Sequence, residues 1–287
     1  MRIKIGLAQI YPKLGDVSHN LGVHLKYAAQ ARERGVDLLV FPELSMTGYQ
    51  VQDLVPEVAL RADGGDPIFA QLLDASGDLD LDIVVGFVHE DIRNRFYIAD
   101  AYLSGHELVH LHHKLYLPTY AMFDESRYFA QGNSVRAFDT RFGRVGMLIC
   151  EDFWHVSPPY LLWLDGADIL ILNSSSPSRG LNESDRMLGT RWVEHVNQAY
   201  GSMFTSYILH CNRVGYEDGK NFWGGSSVVD PDGEFMTHGL YFDEALITQD
   251  IDLNQLHRTR ARLPLLRDER PGLVRRELGR ILRESLG

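Results

Sequence analysis

The sequence is poor in cysteine. Cys150 and Cys211 are its two thiols in 287 residues, too few for a disulfide framework, so a small cross-linked secreted domain is excluded. A reducing, cytoplasmic setting is the expectation. No apolar run approaches the roughly 20 residues needed to cross a bilayer. The opening MRIKIGLAQI meets Tyr11-Pro12 with no small-residue cleavage site and reads as a first strand rather than a signal peptide. Positive charge is scarce: 28 Lys and Arg face 39 Asp and Glu, for a net −11. That balance argues against nucleic-acid and anionic-membrane partners. There is no Gly-rich phosphate cradle between a strand and a helix, no Walker lysine and no G-x-S-x-G elbow. His110, His112 and His113 form an H-x-H-H cluster. It lacks Cys or carboxylate partners at ligand spacing, so it reads as strand alternation and no metal is expected.

What remains is ordinary globular composition, 45% hydrophobic with 26 Gly and 11 Pro. No linker-like stretch interrupts it, so residues 1–287 read as one domain. Charge is uneven along the chain. Residues 258–287 carry nine arginines against four acids, a net +5 that leaves −16 on residues 1–257. A basic tail on an acidic body suggests docking, on its own subunit or a second one; a solvated arginine-rich helix fits equally well. Apolar runs of strand length fall at 3–10, 37–41, 83–88, 99–103, 108–112, 145–149, 169–172 and 204–209, with two more at 228–229 and 246–251. Helical spacing marks 18–34, stopped by Gly35, then about 182–200, opening at Asn182, and about 252–262 and 272–286. Roughly ten strands interleaved with helices indicate α/β layers around a mixed sheet or sheets. No internal repeat stands out.

Three of the runs end on a reactive group. Run 38–41 breaks at Pro42 and is followed at once by Glu43. Run 145–149 ends in Cys150-Glu151-Asp152. Run 108–112 passes into His113-Lys114 and then Pro118. In open α/β sheets, sites form beyond the carboxyl ends of strands, so a carboxylate, a thiol and an amine can converge on one rim. The trio has a chemical logic. A thiol is nucleophilic but mostly protonated at neutral pH. A nearby carboxylate can take its proton and hand it to a leaving amine. An ammonium can hold the oxyanion of a tetrahedral intermediate, with the backbone amide of Glu151 as a second donor. The reaction class is acyl transfer at a C–N bond through a thioester. Singly, each residue has a plain structural reading: Cys150 as a small core side chain, Glu43 as a helix N-terminal acid, Lys114 as a surface lysine. Their combination argues for chemistry. Cys211 reads as core. Tyr49, Phe123 and Trp154 are candidates for an aromatic pocket wall, Asp152 for an anchor of the loop after the thiol, and 216–222 for a loop at the rim.

These residues also carry a resemblance. Phe41-Pro42-Glu43-Leu44 with Thr47-Gly48-Tyr49, His113-Lys114 through Leu117-Pro118, and Gly146 to Cys150-Glu151-Asp152 resemble, in order, the motifs of the carbon–nitrogen hydrolase, or nitrilase, superfamily. Asn212-Arg213-Val214-Gly215 and Gly224-Gly225-Ser226-Ser227 extend it over essentially the whole chain. The resemblance implies an α/β fold of the αββα four-layer sandwich type, often paired, so that a homodimer or higher homo-oligomer is expected. It implies Cys150 as nucleophile, Glu43 as general base, Lys114 as oxyanion stabiliser and Glu125 as a second glutamate beside them. It implies no metal and no organic cofactor, and a small-molecule amide as partner. Residues 116–129 and Glu151-Asp152-Phe153-Trp154 are most similar to the glutaminase domain of glutamine-dependent NAD synthetase, which implies that Tyr120 and Ser176, before Pro177, line the substrate pocket. The chain departs from those domains in placing Asn182 where they carry an arginine, Arg179 coming earlier. Ending near 287 without a synthetase domain, it reads as free-standing, and 262–271 resembles the tail of free-standing amidases. The expected function is a cofactor-free amidohydrolase releasing a carboxylate and ammonia or an amine. Alternatives are an ammonia-supplying glutaminase-like subunit of a separate synthetase, a nitrilase, and an N-carbamoyl amide hydrolase. A scaffold that merely keeps the fold is disfavoured by the intact trio.

Overall fold

The computed structural model describes residues 1–178 and 188–285. Its apolar strand runs are buried on both faces, which is why they read as near-continuous rather than alternating. The first sheet contains β1 (Arg2–Gln9), β2 (Leu38–Val40), β3 (Asp82–Glu90), β4 (Phe96–Ser104), β5 (Glu107–His113) and β14 (Ala245–Asp252), in the order β14-β1-β2-β3-β4-β5. Strands β1, β2 and β3 are parallel and the other pairings antiparallel. The second sheet contains β6 (Phe138–Thr140), β7 (Gly143–Ile149), β8 (Ile169–Ser174), β9 (Tyr207–Asn212), β12 (Ser227–Val229) and β13 (Phe235–His238), in the order β13-β12-β9-β8-β7-β6. Here β7, β8 and β9 are the parallel trio. A separate hairpin joins β10 (Val214–Glu217) to β11 (Lys220–Trp223).

Side-chain parity stacks these sheets. Ile5, Leu7, Leu38, Val40, Val84 and Tyr102 meet Val145, Met147, Ile169, Ile171 and Leu209 between them. The opposite parity faces helices. On the first sheet Leu39, Phe41, Ile83, Val85 and Phe87 pack under α1 (Val17–Glu33) and α3 (Pro67–Asp78). On the second, Leu148, Leu170, Leu172 and Ile208 pack under α4 (Ser157–Leu164) and α5 (Leu188–Phe204). The result is the expected αββα sandwich. Short α2 (Val55–Val58) lies between α1 and α3, and α6 (Asn254–Arg262), α7 (Leu265–Asp268) and α8 (Pro271–Ser285) form the tail. Arginines of α6 meet acids of the body: Arg260 pairs with Asp168 at 2.6 Å and Arg258 with Asp252 at 3.3 Å. No side chain described in 271–284 is buried. No helix among the described residues is long and apolar enough to cross a membrane.

The helix starting at Val17 is capped by Asp16, whose side chain accepts from His19 N, and stops at Gly35 with φ +69°. Elsewhere the periodicity misled. Helix α3 lies where the sequence shows no helical spacing, although Asp66 caps it by accepting from Ile68 N and Phe69 N, and Pro67 occupies its first turn. Helix α4 was missed as well. Strands β6, β10, β11 and β13 are three or four residues long, too short to show a period. The run at 204–209 divides: Phe204 ends α5, Thr205 turns the chain at φ +47°, and β9 begins at Tyr207. The expected helix start, 182–187, lies outside the described residues, as does Arg179.

Candidate active site

Each member of the trio leaves its strand through a sharp local feature. After β2, Phe41 N still bonds Val84 O at 2.9 Å, extending the parallel ladder, and Pro42 then ends it. Glu43 follows, with Leu44 in the left-handed region at φ +50°. The close approach is permitted by Gly86 on β3, where a Cβ would lie 2.4 Å from Pro42 O and 2.6 Å from Leu44 N. After β5, Lys114 N bonds Ile98 O and Lys114 O accepts from Gly132 N, which pins both sides of the residue. After β7, Cys150 itself has φ +49° and opens a 3-10 turn over Cys150–Trp154. A non-glycine residue held there costs about 1–3 kcal/mol, and such strain concentrates at functional positions.

These features bring the acid and the amine together between the sheets. Lys114 Nζ donates to Glu43 Oε1 and to Glu125 Oε1, both at 2.7 Å. Glu43 and Lys114 are fully buried, and Glu125 nearly so. Glu125 also accepts from Tyr49 OH at 2.5 Å, and its Oε2 has no partner among the described residues. The second sheet holds the other end of Glu43: Ser175 N donates to Glu43 Oε2 at 2.7 Å, and Ser175 Oγ donates to Glu43 O at 2.8 Å. Cys150, 8% exposed, packs with Tyr49, Phe123, Leu117 and Phe222.

Burial and charge set the protonation of the group. Burial pushes the Cys150 thiol well up, and the Glu43 charge adds to this while Lys114 opposes it. Burial works against the Lys114 ammonium, but the Glu125 and Glu43 carboxylates outweigh it and hold that group charged well beyond its ordinary range. Burial pushes Glu125 up to about 7, against the pull of Lys114 and with the help of the Glu43 charge. The resting arrangement is thus a neutral thiol beside a charged ammonium. Such a thiol needs a base at the moment of attack.

Cys150 opens on a pocket lined by Tyr120, Phe123, Glu151, Trp154, Ser176 and Pro177, together with Val193 and Trp223. Five of the six residues expected around the substrate therefore meet at the thiol. Tyr120 OH donates to Glu151 Oε2 at 2.9 Å, and Trp154 stacks on Trp192 at 3.7 Å between ring centroids. Tyr49 is the exception: it does not line this pocket and is bonded to Glu125. Its main chain is held there by Glu217, which accepts from Tyr49 N and Gln50 N and pairs with the buried Arg213 at 2.6 Å. The segment 216–222, expected as a rim loop, is mostly the β10–β11 hairpin, turning at Asp218 and Gly219, both at positive φ. An Asp-Gly pair between short strands is a hairpin signal that the sequence did offer.

Asp152 is fully buried and ties two segments of the site together. Its Oδ1 accepts from Leu115 N and Tyr116 N; its Oδ2 accepts from Ile149 N and faces His112 Nε2 at 3.0 Å. The loop carrying the thiol is thereby fixed to the segment carrying the amine. The other histidines of the cluster diverge: His110 stacks on Phe138, and His113 stacks on Tyr97 and bonds His89. Among the described residues no group of His, Cys, Asp and Glu could hold a metal ion. Cys211 lies fully buried within β9, its thiol against Val40 O. Ser175 carries no mark in the sequence, because its bond to the Glu43 carboxylate comes from the main chain, which residue type does not reveal.

Two layered sheets closed by helices, with a thiol, an amine and two carboxylates at one end, are the frame of an enzyme working on a carbon–nitrogen bond. Residues 4–261 match the carbon-nitrogen hydrolase family model, and the chain belongs to that family of hydrolases. Among curated proteins it is 35% identical over 261 residues to a glutamine-dependent NAD(+) synthetase of Thermotoga maritima, covering 88% of this chain and 43% of that protein. A second such synthetase, from Acinetobacter baylyi, is 30% identical over 255 residues, covering 88% of this chain and 44% of the relative. The chain thus spans less than half the length of these relatives. Among solved structures, a carbon-nitrogen hydrolase from Helicobacter pylori shares the fold with a TM-score of 0.86 at 21% identity, covering 97% of this chain and 99% of that one.

Proposed function

We propose that the protein hydrolyses a small-molecule amide through a thioester on Cys150. The observation that carries this reading is the buried Glu43–Lys114–Glu125 cluster, whose charges act on the Cys150 thiol, while that residue also lines an aromatic pocket. Cys150 Sγ attacks the amide carbonyl carbon as its proton passes to the Glu43 carboxylate. The C=O electron pair moves to oxygen, where Lys114 Nζ and the Glu151 backbone amide receive the charge. Collapse re-forms the carbonyl and breaks the C–N bond, and Glu43 returns the proton to the leaving nitrogen. Water then adds to the thioester while Glu43 takes its proton. Breaking the C–S bond releases the carboxylic acid, and the proton on Glu43 regenerates the thiol. Glu125 fixes the Lys114 ammonium through Oε1, and its bare Oε2 is available to the leaving nitrogen. Tyr120, Phe123, Trp154 and Ser176 shape the acyl pocket.

The experiment is an amide panel assayed for ammonia, followed by acid quench and intact mass on the best substrate. The expected result is an acyl adduct that maps to Cys150 and whose mass identifies the acyl half. Turnover with the adduct on Cys211, or on a residue outside the pocket, refutes the assignment. A second reading has its own support. The 35% identity to a glutamine-dependent NAD(+) synthetase favours glutamine as the amide and ammonia delivery to a synthetase active site as the purpose. Glutaminase activity that rises on adding such a synthetase would favour it. Equal activity alone would count against it, and preferential turnover of nitriles or N-carbamoyl amides would redirect the substrate class.

A further inference from the structure

Beneath the site, a second polar pair spans the two sheets. Asp100 on β4 and Asn173 on β8 are both fully buried. One hydrogen bond joins them, from Asn173 Nδ2 to Asp100 Oδ2 at 2.8 Å. The other oxygen of each group, Asp100 Oδ1 and Asn173 Oδ1, is shut off from solvent and has no donor among the described residues. Each bare oxygen carries the desolvation cost of a buried acceptor left without a donor. A single proton on the carboxyl group, shared between those two oxygens, would meet both deficits. The acid O–H then donates to the amide oxygen while the amide N–H donates to the acid carbonyl.

The surroundings favour that proton. Burial acts first, and the Glu43 and Asp152 carboxylates, from the segments after β2 and β7, act in the same direction; the hydrogen bond from Asn173 and the Lys114 charge pull the other way. His112, opposite Asp100 on β5, turns its Nε2 to Asp152. Cys211, opposite Asn173 on β9, brings a thiol that burial keeps protonated. We propose that Asp100 is kept as a neutral acid in a two-bond ring with Asn173, and that this ring is a positioning device for Glu43. Two residues beyond Asn173, Ser175 makes both of its bonds to Glu43. The ring sets the height of that end of β8 over the first sheet. It also withholds a further negative charge, which would oppose the charge that develops on sulfur during attack.

The role in catalysis rests on the reading of Glu43 as base; the protonation does not, and the two are tested separately. Infrared difference spectra of resting wild type against Asp100→Asn at neutral pH should show a protonated-carboxyl C=O stretch present in the first and absent in the second. In kinetics, Asp100→Asn can keep a two-bond ring but has nothing to titrate. Its kcat should fall no more than about threefold, and the decline in rate at alkaline pH should move to higher pH, while Asp100→Ala loses about 10²-fold in kcat with KM little changed. A carboxylate signature alone at neutral pH overturns the proposal. So does an Asp100→Asn variant as impaired as Asp100→Ala with the wild-type pH profile. A protonated band together with full activity in Cys150→Ala would instead refute the thioester reading and leave the ring standing.

Discussion

The two sheets have one layout and unequal duties. From the lone antiparallel edge, each runs through three parallel strands to two antiparallel ones: β14, β1, β2, β3, β4, β5 in the first and β6, β7, β8, β9, β12, β13 in the second. The first sheet supplies the charges, with Glu43 after β2 and Lys114 after β5. The second supplies the thiol after β7 and, after β8, the Ser175 backbone that steadies Glu43. Neither half has a complete set. The apolar contact between the sheets is therefore what creates the site, and polar bridges such as Asp152 and Asp100–Asn173 set its register. No sequence repeat announces this correspondence, because a shared strand order needs only shared patterns of burial.

Substitutions on either side sharpen the contrast. Lys114→Met should have the largest effect. It leaves Glu43 and Glu125 buried without their cation, so stability should drop by about 3–5 kcal/mol in urea titrations. Ammonia release should fall at least about 10³-fold with the oxyanion donor gone. Gly86→Ala follows: its methyl must displace the Pro42–Leu44 backbone, and moving Glu43 by a fraction of an ångström should cost about 10²-fold in kcat. Glu125→Gln should cost about tenfold and remove the inflection near pH 7 that wild-type Glu125 contributes to the rate profile. The stability sign is fixed by the raised value. Folded Glu125 holds its proton to higher pH than unfolded chain, so its contribution is present at acid pH and lost as pH rises toward about 7. Thermal melts of Glu125→Gln should lack that slope. Ser175→Ala, on the second sheet, should be mildest, losing the 2.8 Å bond to Glu43 O and about 1 kcal/mol of stability.

Glu43, Lys114 and Cys150 were legible because each ends an apolar run, where a strand must stop and a polar group must find a role. The four-layer architecture was legible through the resemblance those residues carry. Glu125 had no such mark: it sits in a 3-10 turn of a long loop and was reached by resemblance alone. Tyr49 has the residue type of a pocket wall, but its bond to Glu125 decides its place. Asp100 did leave a trace, a single acid inside the apolar run 99–103. Its partner lies on the other sheet, and pairings between sheets leave no local period. Helix α3 was hidden by its Asp and Gly content, and its cap outweighed that composition.

The most direct test of the central claim is the steady-state rate of ammonia release by Cys150→Ala on the best amide. If sulfur carries the acyl group, the variant should retain folding and pocket binding while losing at least about 10⁴-fold in kcat. A folded Cys150→Ala protein that turns over within tenfold of wild type would show that the bond is cut without it.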